Sequence, residues 1–530
     1  MTHRGILTKK TVITSIAATA LMLIIGCQNA GNKNVDALNI NPTEMKQVGT
    51  VSERFQSYNV EMVEVVGGEF WKPYKMMDSL PSAEATGTYD VSQKNPELYR
   101  KLEPVDLTNK RILNLAKGLA PAYVRVSGTW TNATYFQDND EPIQPAPEGF
   151  LNVLTRSQWK GVLDFLKATN SELVTSFAVS SGVRNQDGVW TPVEAQKLVN
   201  YTKSLGGSVA AAELFNEPTM PLSGGLMNPN YDASYFAKDV AAFNAWAKKE
   251  VPNMKTLGPG AVLEGMDGVT FDQPGMKLLA AEDLMTAEPK PTFDVFSYHF
   301  YGAASIRMMN EGPFSIKAEN ALGKEWLQRT DQSAAFYMGL RDKYMPGTEI
   351  WLTETAQAAA GGDPYAATFL DCFRYLYQHG SLAKKGVKVI MHNTFLASEY
   401  SLIDQDTYLP KPNYWAALLW AKLMGTEVYD AGTEKEGIYV FAHNLKGSES
   451  GKTILIINTS KEATSINLPS DAEQFTLTSN ELEGTNVLLN GQELALTAND
   501  EVPTITGKNV KAGNIELPET SISFFTLSNK

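Results

Sequence analysis

Short apolar runs alternate with longer amphipathic segments between residues 61 and 425. Apolar runs bounded by turn-forming residues predict buried strands, whereas apolar positions at helical spacing predict helices. The predicted strands are 62–66, 121–126, 173–179, 209–214, 256–258, 293–298, 349–352 and 387–391, and the predicted helices include 157–167, 192–205, 233–251 and 366–382. Eight strands alternating with helices predict an α/β fold of the (β/α)8 TIM barrel type.

A doubly wound parallel sheet has a similar rhythm of strands and helices. That fold binds nucleotides through a Gly-x-Gly-x-x-Gly turn after its first strand, and no such turn follows the first predicted strand here. After residue 425 the rhythm changes to strand-like runs separated by turn residues, at 437–443, 453–458 and 521–527. We therefore assign residues 59–427 to the barrel and 428–530 to a C-terminal β-sandwich. Residues 27–58 are predicted as a tether and a possible extra strand of that sandwich.

The start of the chain carries basic residues followed by an apolar run that ends at Cys27. This is the order of a secretory signal peptide, and the run is shorter than the roughly 20 apolar residues of a membrane span. The residues IIGC at 24–27 resemble a bacterial lipobox, whose cysteine is lipidated. Residues 1–26 are therefore predicted as a lipoprotein signal peptide, with Cys27 anchoring the protein in the bacterial cell envelope, periplasmic or exterior. An ordinary signal peptide is the alternative.

Composition argues against several classes of function. The net charge of −13 at pH 7 disfavours nucleic acid as a partner. The two cysteines are Cys27 and Cys372, so lipidation of the first leaves no intrachain disulfide. The five histidines are scattered without the spacing of a zinc site, so no metal or other cofactor is expected.

Two of the predicted strands deliver a glutamate at their carboxyl ends. The sequence ELFNEP at 213–218 places Asn216 and Glu217 where strand four opens into a loop, and WLTE at 351–354 places Glu354 after strand seven. In a closed barrel these strand ends face one mouth. Two carboxylates there match retaining glycoside hydrolysis, with Glu217 as acid/base and Glu354 as nucleophile. The alternative is that each glutamate caps the following helix.

Strand six ends in the aromatic sequence SYHFY at 297–301. A tyrosine hydroxyl that donates a hydrogen bond to the nucleophile would keep that carboxylate ionised and oriented, and Tyr301 is the predicted donor. His299 is predicted as a substrate contact, with a buried core histidine as the equal alternative.

These motifs resemble clan A glycoside hydrolases, and the closer resemblance is to glycoside hydrolase family 79, which includes heparanases and β-glucuronidases. It is carried by PAYVRVSGT at 121–129, ELFNEP, YHFY at 298–301, WLTET at 351–355 and the segment from 387 to 426. The resemblance implies that Asn216 and Thr129 contact the sugar. It also implies that Tyr400 and the backbone N–H groups of Gly361 and Gly362 bind the carboxylate of a uronic acid.

The sequence departs from the family pattern at three positions. One glycine of the loop after strand seven is replaced by Ala360, and the amide after strand eight is Asn393 rather than the longer glutamine. The acidic sugar-binding residue after strand one is matched by Glu69, in a loose alignment. The basic clusters that animal heparanases use on sulfated chains are not evident, which disfavours an endo-acting heparanase-like activity.

The sequence thus predicts a retaining exo-β-glucuronidase that removes terminal glucuronate or 4-O-methylglucuronate from polysaccharide glycans by double displacement. Its two carboxyl groups are expected to lie about 5–5.5 Å apart, whereas an inverting enzyme would separate them by roughly 9 Å. One alternative is another clan A retaining glycosidase that acts on a neutral sugar. The other is a non-catalytic glycan-binding lipoprotein.

Overall fold

A computed structural model describes residues 37–77, 96–223, 226–268, 277–309, 311–432, 435–448 and 450–528. The predicted signal peptide and Cys27 lie outside these residues. Eight parallel strands form a closed barrel in chain order, and the eighth pairs with the first. They are β1 (Gln56–Glu61), β2 (Ala122–Ser127), β3 (Ser171–Ser176), β4 (Val209–Glu213), β5 (Lys255–Ala261), β6 (Val295–Tyr301), β7 (Glu349–Ala356) and β8 (Val389–His392). The predicted (β/α)8 barrel is confirmed.

The first strand was predicted at 62–66, and this prediction is wrong. Residues Met62–Val66 form the short helix α1. A reciprocal capping box starts it, because the Glu61 side chain accepts from the Glu64 backbone N–H and the Glu64 carboxylate accepts from the Glu61 N–H at 2.6 Å. The true strand β1 buries polar and apolar side chains alike, so it lacks the apolar pattern by which the other strands were found.

Helices connect the barrel strands and cover the outside of the barrel. The predicted helices 157–167, 192–205, 233–251 and 366–382 are confirmed with small shifts of their ends. The helices after α1 are α2 (Lys110–Gly118), α3 (Arg156–Ala168), α4 (Val193–Ser204), α5 (Ala233–Glu250), α6 (Ala281–Thr286), α7 (Lys324–Leu327), α8 (Arg329–Tyr344), α9 (Leu370–Lys385) and α10 (Pro412–Leu423). The four predicted helices correspond to α3, α4, α5 and α9.

Shorter elements lie in the connections between strands and helices. Strands Gly68–Trp71 and Tyr99–Leu102 form an antiparallel hairpin, and Thr134–Gln137 pairs in parallel with Asn152–Thr155. The 3-10 turns are Tyr74–Met76, Pro96–Leu98, Thr129–Ala133, Ser181–Val183, Ala318–Asn320 and Pro364–Ala367. Among the described residues, none of the helices is both long and apolar enough to cross a membrane.

The barrel interior is apolar at one end and polar at the other. The apolar end is a buried cluster that takes one or two side chains from each of several strands: Val174, Ala211, Leu257, Val295, Trp351, Val389 and Met391. Side chains alternate between the two faces of a strand, so the next inward positions lie two residues further along. On β4 and β6 these positions are Glu213 and Ser297, which hydrogen-bond each other at 2.8 Å. The polar end therefore faces the carboxyl ends of the strands.

Two further sheets, one antiparallel and one mixed, are formed mostly by residues after the barrel. The larger contains Gln47–Thr50, Met424–Tyr429, Ile438–Leu445, Lys452–Asn458, Ser521–Leu527, Ala472–Thr478, Leu488–Leu489, Gln492–Glu493 and Lys508–Val510. The smaller contains Leu38–Asn39, Thr464–Leu468 and Gly513–Leu517. Alternate residues of both sheets, such as Ile454 and Ile466, form one buried apolar cluster, as expected of a sandwich. Two strands from before the barrel thus complete sheets formed mostly from residues after it.

Candidate active site

Glu217 lies where β4 opens into its loop. The backbone there has φ of 59°, in the left-handed region, so the chain turns sharply before Pro218. Asn132 fixes the preceding residue, because its side-chain amide donates to the Asn216 carbonyl at 3.0 Å and its Oδ1 accepts from the Asn216 N–H at 3.2 Å. Glu217 therefore follows a residue whose backbone is anchored by two hydrogen bonds.

Glu354 reaches the same mouth from β7. The register of β6 and β7 shifts between Tyr298 and His299, and after this irregularity His299 pairs with Glu354. An irregularity of this kind re-aims side chains along a strand. An oxygen of Glu217 and an oxygen of Glu354 lie within 4.8 Å of each other, and the two residues are 7% and 6% exposed. Two nearly buried carboxyl groups thus meet at the mouth of the barrel.

The two glutamates have different partners. The Tyr301 hydroxyl donates to Glu354 Oε1 at 2.7 Å, and Arg125 Nη1 donates to Glu354 Oε2 at 2.8 Å. Both bonds fix the orientation of the Glu354 carboxyl group. Burial raises the pKa of Glu217, and the charge of Glu354 raises it further against the opposing hydrogen bond from His299. The two carboxyl groups therefore differ in their surroundings: a guanidinium and a phenol donate to Glu354, whereas burial favours the protonated form of Glu217.

Arg125 lies fully buried at the centre of the polar end of the barrel. Its Nη2 donates to Glu213 Oε2 at 2.8 Å and to Asn216 Oδ1 at 2.7 Å. Burial opposes a charge on Glu213, but the guanidinium outweighs it and lowers the pKa of that carboxyl. Thr353 donates to the remaining Glu213 oxygen at 2.7 Å. One cation therefore joins β2, β4 and β7 beneath the two glutamates.

His299 lies between the two glutamates and is completely buried. Its Nδ1 is 3.1 Å from Glu217 Oε1 and 3.8 Å from Glu354 Oε2. Burial lowers the pKa of His299, but Glu354 and the other neighbouring carboxylates outweigh it and raise the pKa to about 9. The histidine predicted as a substrate contact is therefore placed against Glu217.

Asn393, after β8, connects a second group of polar side chains. Its Nδ2 lies 3.1 Å from Glu61 Oε1, 3.0 Å from the Tyr301 hydroxyl and 3.2 Å from the Tyr400 hydroxyl. Asn59 donates to its Oδ1 at 3.2 Å, so the amide is fixed from both sides. Burial raises the pKa of Tyr400 well above its usual range, which keeps the phenol as a hydrogen-bond donor.

The loop after β7 brings Gly362 against Tyr400 and Gly361 against Ser398 and Trp71. Gly361 and Gly362 have φ of 89° and 79°, and a Cβ on Gly362 would lie 3.2 Å from the Tyr400 side chain. Ala360 has φ of 61°, so the residue that replaces a family glycine also adopts the left-handed region. The backbone therefore keeps the close approach that a glycine-rich loop provides.

The structure does not place Glu69 within this group. Glu69 is exposed on the outer hairpin, in register with Lys101. The acidic residue that joins the group is Glu61, at the end of β1, whose Oε2 would be 1.5 Å from a Cβ at Gly128. Burial raises the pKa of Glu61 well above its usual range, and the charge of Glu354 adds to the shift. Thr129 directly follows Gly128 and is half-buried.

Four residues of the site were not predicted from sequence: Arg125, Glu213, Glu61 and Asn132. A signal existed for the first two, because a charged residue inside a run of buried apolar residues must be paired. Glu61 was missed because its strand was assigned to the wrong residues. Asn132 lies in a 3-10 turn, for which the sequence pattern gives no indication of a contact with β4.

Glu217, His299 and Glu354 have the composition of a cation site, since one ligand atom from each lies within 4.8 Å of the others. The surrounding charges oppose a cation at this position. Arg125 already contributes a positive charge 2.8 Å from Glu354, and the raised pKa of His299 favours its protonated form, which cannot ligate a metal. The site fits a carboxyl pair better than a metal centre.

We expect Arg125→Met to lower the free energy of unfolding by about 3–5 kcal/mol, because Glu213 remains buried without its partner. Denaturant unfolding measures this change. Arg54→Met is the matched control: Arg54 pairs with the exposed Glu172, and its removal should cost less than about 1 kcal/mol. Equal stability of the Arg125 variant and the parent would contradict the assignment. If Arg125→Met does not fold, Glu213→Gln in the same chain should recover folded protein.

The chain matches a known family of glycosyl hydrolases. Residues 99–380 match the model for the N-terminal domain of glycosyl hydrolase family 79. Heparanase-like protein 1 of Arabidopsis thaliana is 26% identical over 410 residues, which cover 74% of this chain and 70% of that protein. Baicalin-β-D-glucuronidase of Scutellaria baicalensis is 25% identical over 447 residues, which cover 76% of this chain and 79% of that protein.

Solved structures share the fold at low sequence identity. The α-L-arabinofuranosidase of Thermotoga maritima superposes with a TM-score of 0.61 at 14% identity, over 93% of this chain and 99% of that one. A 4-O-α-L-rhamnosyl-β-D-glucuronidase of Fusarium oxysporum gives a TM-score of 0.57 at 13% identity, over 92% and 100%. At these identities the likeness supports the architecture of a barrel with an appended β-domain.

Proposed function

Because the chain belongs to glycosyl hydrolase family 79 and is a glycoside hydrolase, we propose that it is a retaining exo-β-glucuronidase. Its substrates would be glycans that end in glucuronate or 4-O-methylglucuronate. The observation that carries the retaining mechanism is the approach of Glu217 and Glu354 within 4.8 Å. The relative that acts on a β-D-glucuronide, from Scutellaria baicalensis, supports the choice of sugar.

In the first proposed step, Glu217 gives its proton to the leaving oxygen while Glu354 attacks the anomeric carbon. The bond from that carbon to the leaving oxygen breaks, and an ester to Glu354 forms. In the second step a water attacks the same carbon, gives its proton to Glu217 and releases Glu354 as a carboxylate. Two inversions leave the product in the β configuration. Arg125 and Tyr301 stabilise Glu354 as the leaving carboxylate.

The proposed binding site for the substrate carboxylate consists of Tyr400 and the backbone of Gly361 and Gly362. A protonated phenol and backbone N–H groups bind a carboxylate without adding a cation beside Glu354. We assign the sugar hydroxyl contacts to Glu61, Asn216 and Thr129, with Glu61 in place of Glu69. Asn393 then has a positioning role, because it fixes Glu61 and both tyrosine hydroxyls.

A panel of nitrophenyl glycosides tests the sugar. We expect turnover of the β-glucuronide with kcat/KM at least about 100-fold above that of the β-glucoside, β-galactoside and β-xyloside, because a carboxylate site left unfilled loses several hydrogen bonds. Tyr400→Phe should reduce kcat/KM for the glucuronide about tenfold, whereas Tyr408→Phe, on the same loop, should not. Preference for a neutral sugar would replace the proposal with the alternative glycosidase.

We further propose that the protein is lipid-anchored at Cys27 in the bacterial cell envelope, on the motif IIGC at 24–27. Expressed from its full gene in a bacterial host, the protein should incorporate a palmitate analogue and fractionate with membranes. Cys27→Ser should abolish both properties, whereas Cys372→Ser should change neither, since Cys372 is buried in α9. Equal labelling of the Cys27 variant and the parent would reject the anchor.

A further inference from the structure

Arg307, in the loop after β6, is a buried cation without an anion in contact. Among the described residues three arginines are buried: Arg125, Arg307 and Arg374. Arg125 pairs with Glu213 at 2.8 Å, and Arg374 pairs with Asp371 at 2.6 Å. Arg307 is 0% exposed, yet no carboxylate of the described chain lies within ion-pair distance of it. A charge removed from water is costly unless it is paired, so a ligand with a negative charge would supply what Arg307 lacks.

The groups that Arg307 does contact are neutral. Its Nε donates to the Tyr74 hydroxyl at 3.3 Å, and its Nη1 donates to the Lys72 carbonyl at 2.8 Å. The guanidinium carbon lies 4.3 Å from the centroid of the Tyr74 ring and 5.8 Å from that of the Trp71 ring. Its Nη2 is buried and has no hydrogen-bond partner in the part of the chain that the structure describes. The two aromatic faces therefore hold the cation in place without neutralising it.

The Tyr74 hydroxyl connects Arg307 to the loop after β7. This hydroxyl accepts from Arg307 and donates to the Gly362 carbonyl at 3.2 Å. Burial raises the pKa of Tyr400, and the positive charge of Arg307 opposes the rise, so the charge acts on this phenol as well. Gly362 and Tyr400 are the proposed ligands of the substrate carboxylate. Arg307 therefore lies behind the groups that would bind an anion.

The acid of the same loop, Asp363, does not neutralise Arg307 by contact. Its Oδ1 accepts from the Ile306 N–H at 2.7 Å, and its Oδ2 accepts from Gln357 Nε2 at 3.0 Å. Burial raises the pKa of Asp363 to about 6, although these hydrogen bonds and the charge of Arg307 oppose the rise. Both carboxylate oxygens are thus used to hold the loop itself.

We propose that Arg307 makes the enzyme specific for an anionic sugar, with the glucuronate carboxylate as its counter-ion. The inference rests on the proposed function, because that function places the carboxylate at Tyr400 and Gly362. A phenol and backbone N–H groups can bind a carboxylate or a neutral amide, whereas a buried cation favours the carboxylate alone. The substrate carboxylate does not change in the reaction, so the cation contributes to binding and not to the chemical step.

The test compares nitrophenyl β-glucuronide with the corresponding glucuronamide, which has nearly the same shape but no charge. We expect Arg307→Met to raise KM for the glucuronide about 10- to 30-fold and to leave kcat within twofold. This is the effect of a cation about 8 Å from an anion at an effective dielectric constant of about 20. The amide, measured as a substrate or as a competitive inhibitor, should change less than threefold. Arg307→Lys keeps the charge and should restore most of the preference for the glucuronide.

Arg329→Met is the matched control. Arg329, half-buried at the start of α8, also donates to a carbonyl of the loop after β6, that of Gly302, at 2.6 Å. Its guanidinium carbon lies 5.6 Å from the centroid of the Trp326 ring. Its removal should change the glucuronide and the amide by the same factor. If Arg307→Met does not fold, Arg307→Gln removes the same charge and keeps a donor for the Lys72 carbonyl.

The outcomes separate the inference from the proposed function. A parent that prefers a neutral nitrophenyl glycoside would overturn the proposed function, and the role of Arg307 with it. If the parent prefers the glucuronide and Arg307→Met weakens the glucuronide and the amide equally, or neither, the function stands and Arg307 only holds its loop. Loss of the preference for glucuronide over amide in Arg307→Met, with its return in Arg307→Lys, is the result that supports the inference.

Discussion

Replacing Glu354 with alanine is expected to lower kcat for a β-glucuronide by a factor of about 10⁴ or more. Without this carboxylate no ester forms, and the remaining groups only bind the sugar and donate a proton. The fold should persist, because Arg125 keeps its bonds to Glu213 and Asn216 when Glu354 is removed. Initial rates on nitrophenyl β-glucuronide, with thermal unfolding alongside, measure both expectations.

Glu349→Ala is the matched control for this variant. Glu349 lies on the same strand, β7, but at its exposed beginning, where its partners are Lys255 and the Trp351 ring nitrogen. Its removal should leave kcat within twofold of the value for the parent protein. A glucuronide-shaped cyclitol that alkylates the nucleophile should label a peptide containing Glu354 in the parent. Turnover by Glu354→Ala near the parent rate, or a label on another carboxylate, would reject the assignment.

Replacing Glu217 with alanine should produce a different defect, which depends on the leaving group. Hydrolysis of glycans with a sugar leaving group needs the proton, so kcat for these substrates should fall by about 10²–10⁴-fold. A dinitrophenolate departs without a proton, so the dinitrophenyl glucuronide should still form the ester. Release of glucuronate from that ester then lacks its base, so kcat and KM should fall together as the ester accumulates. Glu172→Ala, an exposed residue on β3, should have neither effect.

Azide gives the second measurement on Glu217→Ala. The space left by the side chain admits the anion, which attacks the anomeric carbon, displaces Glu354 and yields β-glucuronosyl azide. Azide should therefore raise kcat in this variant with the β-azide as product, whereas any glucuronosyl azide formed by Glu354→Ala should have the α configuration, because there the anion attacks in place of the carboxylate. The pH profile adds a third: because the pKa of Glu217 is raised, the alkaline limb of the parent, on which activity is lost as this proton leaves, should lie at higher pH than an ordinary glutamate would give. Persistence of that alkaline limb in Glu217→Ala would contradict its role as the acid.

The sequence was informative about the two glutamates because both follow the same local rule. Each ends an apolar run that is long enough to be recognised as a buried strand, and parallel strands in a barrel bring such ends together. The aromatic end of β6 was informative for a similar reason, since Tyr301 and His299 alternate with outward-facing residues. Motifs at strand ends can therefore be placed in space once the fold is known.

The remaining contacts depend on side chains that meet across the barrel, and local pattern does not encode them. In the sequence, Arg125 is one polar residue within a strand. In the structure it bonds to Glu213 on β4, to Asn216 just after β4 and to Glu354 on β7. The prediction of Glu69 where the structure places Glu61 has a different cause. The capping box turns an apolar run with strand-like composition into α1, so the acidic residue lies before that run and not after it.

The strands Leu38–Asn39 and Gln47–Thr50 have a consequence for how the protein is made. They pair with Ile466–Asn467 and with Glu427–Tyr429, so their partners leave the ribosome only after the whole barrel has been synthesised. Until then these segments have unsatisfied strand edges, which invite pairing with other chains. A barrel expressed alone, ending at residue 427, would keep that exposure permanently. Fragments for biochemical work should therefore retain both ends of the chain.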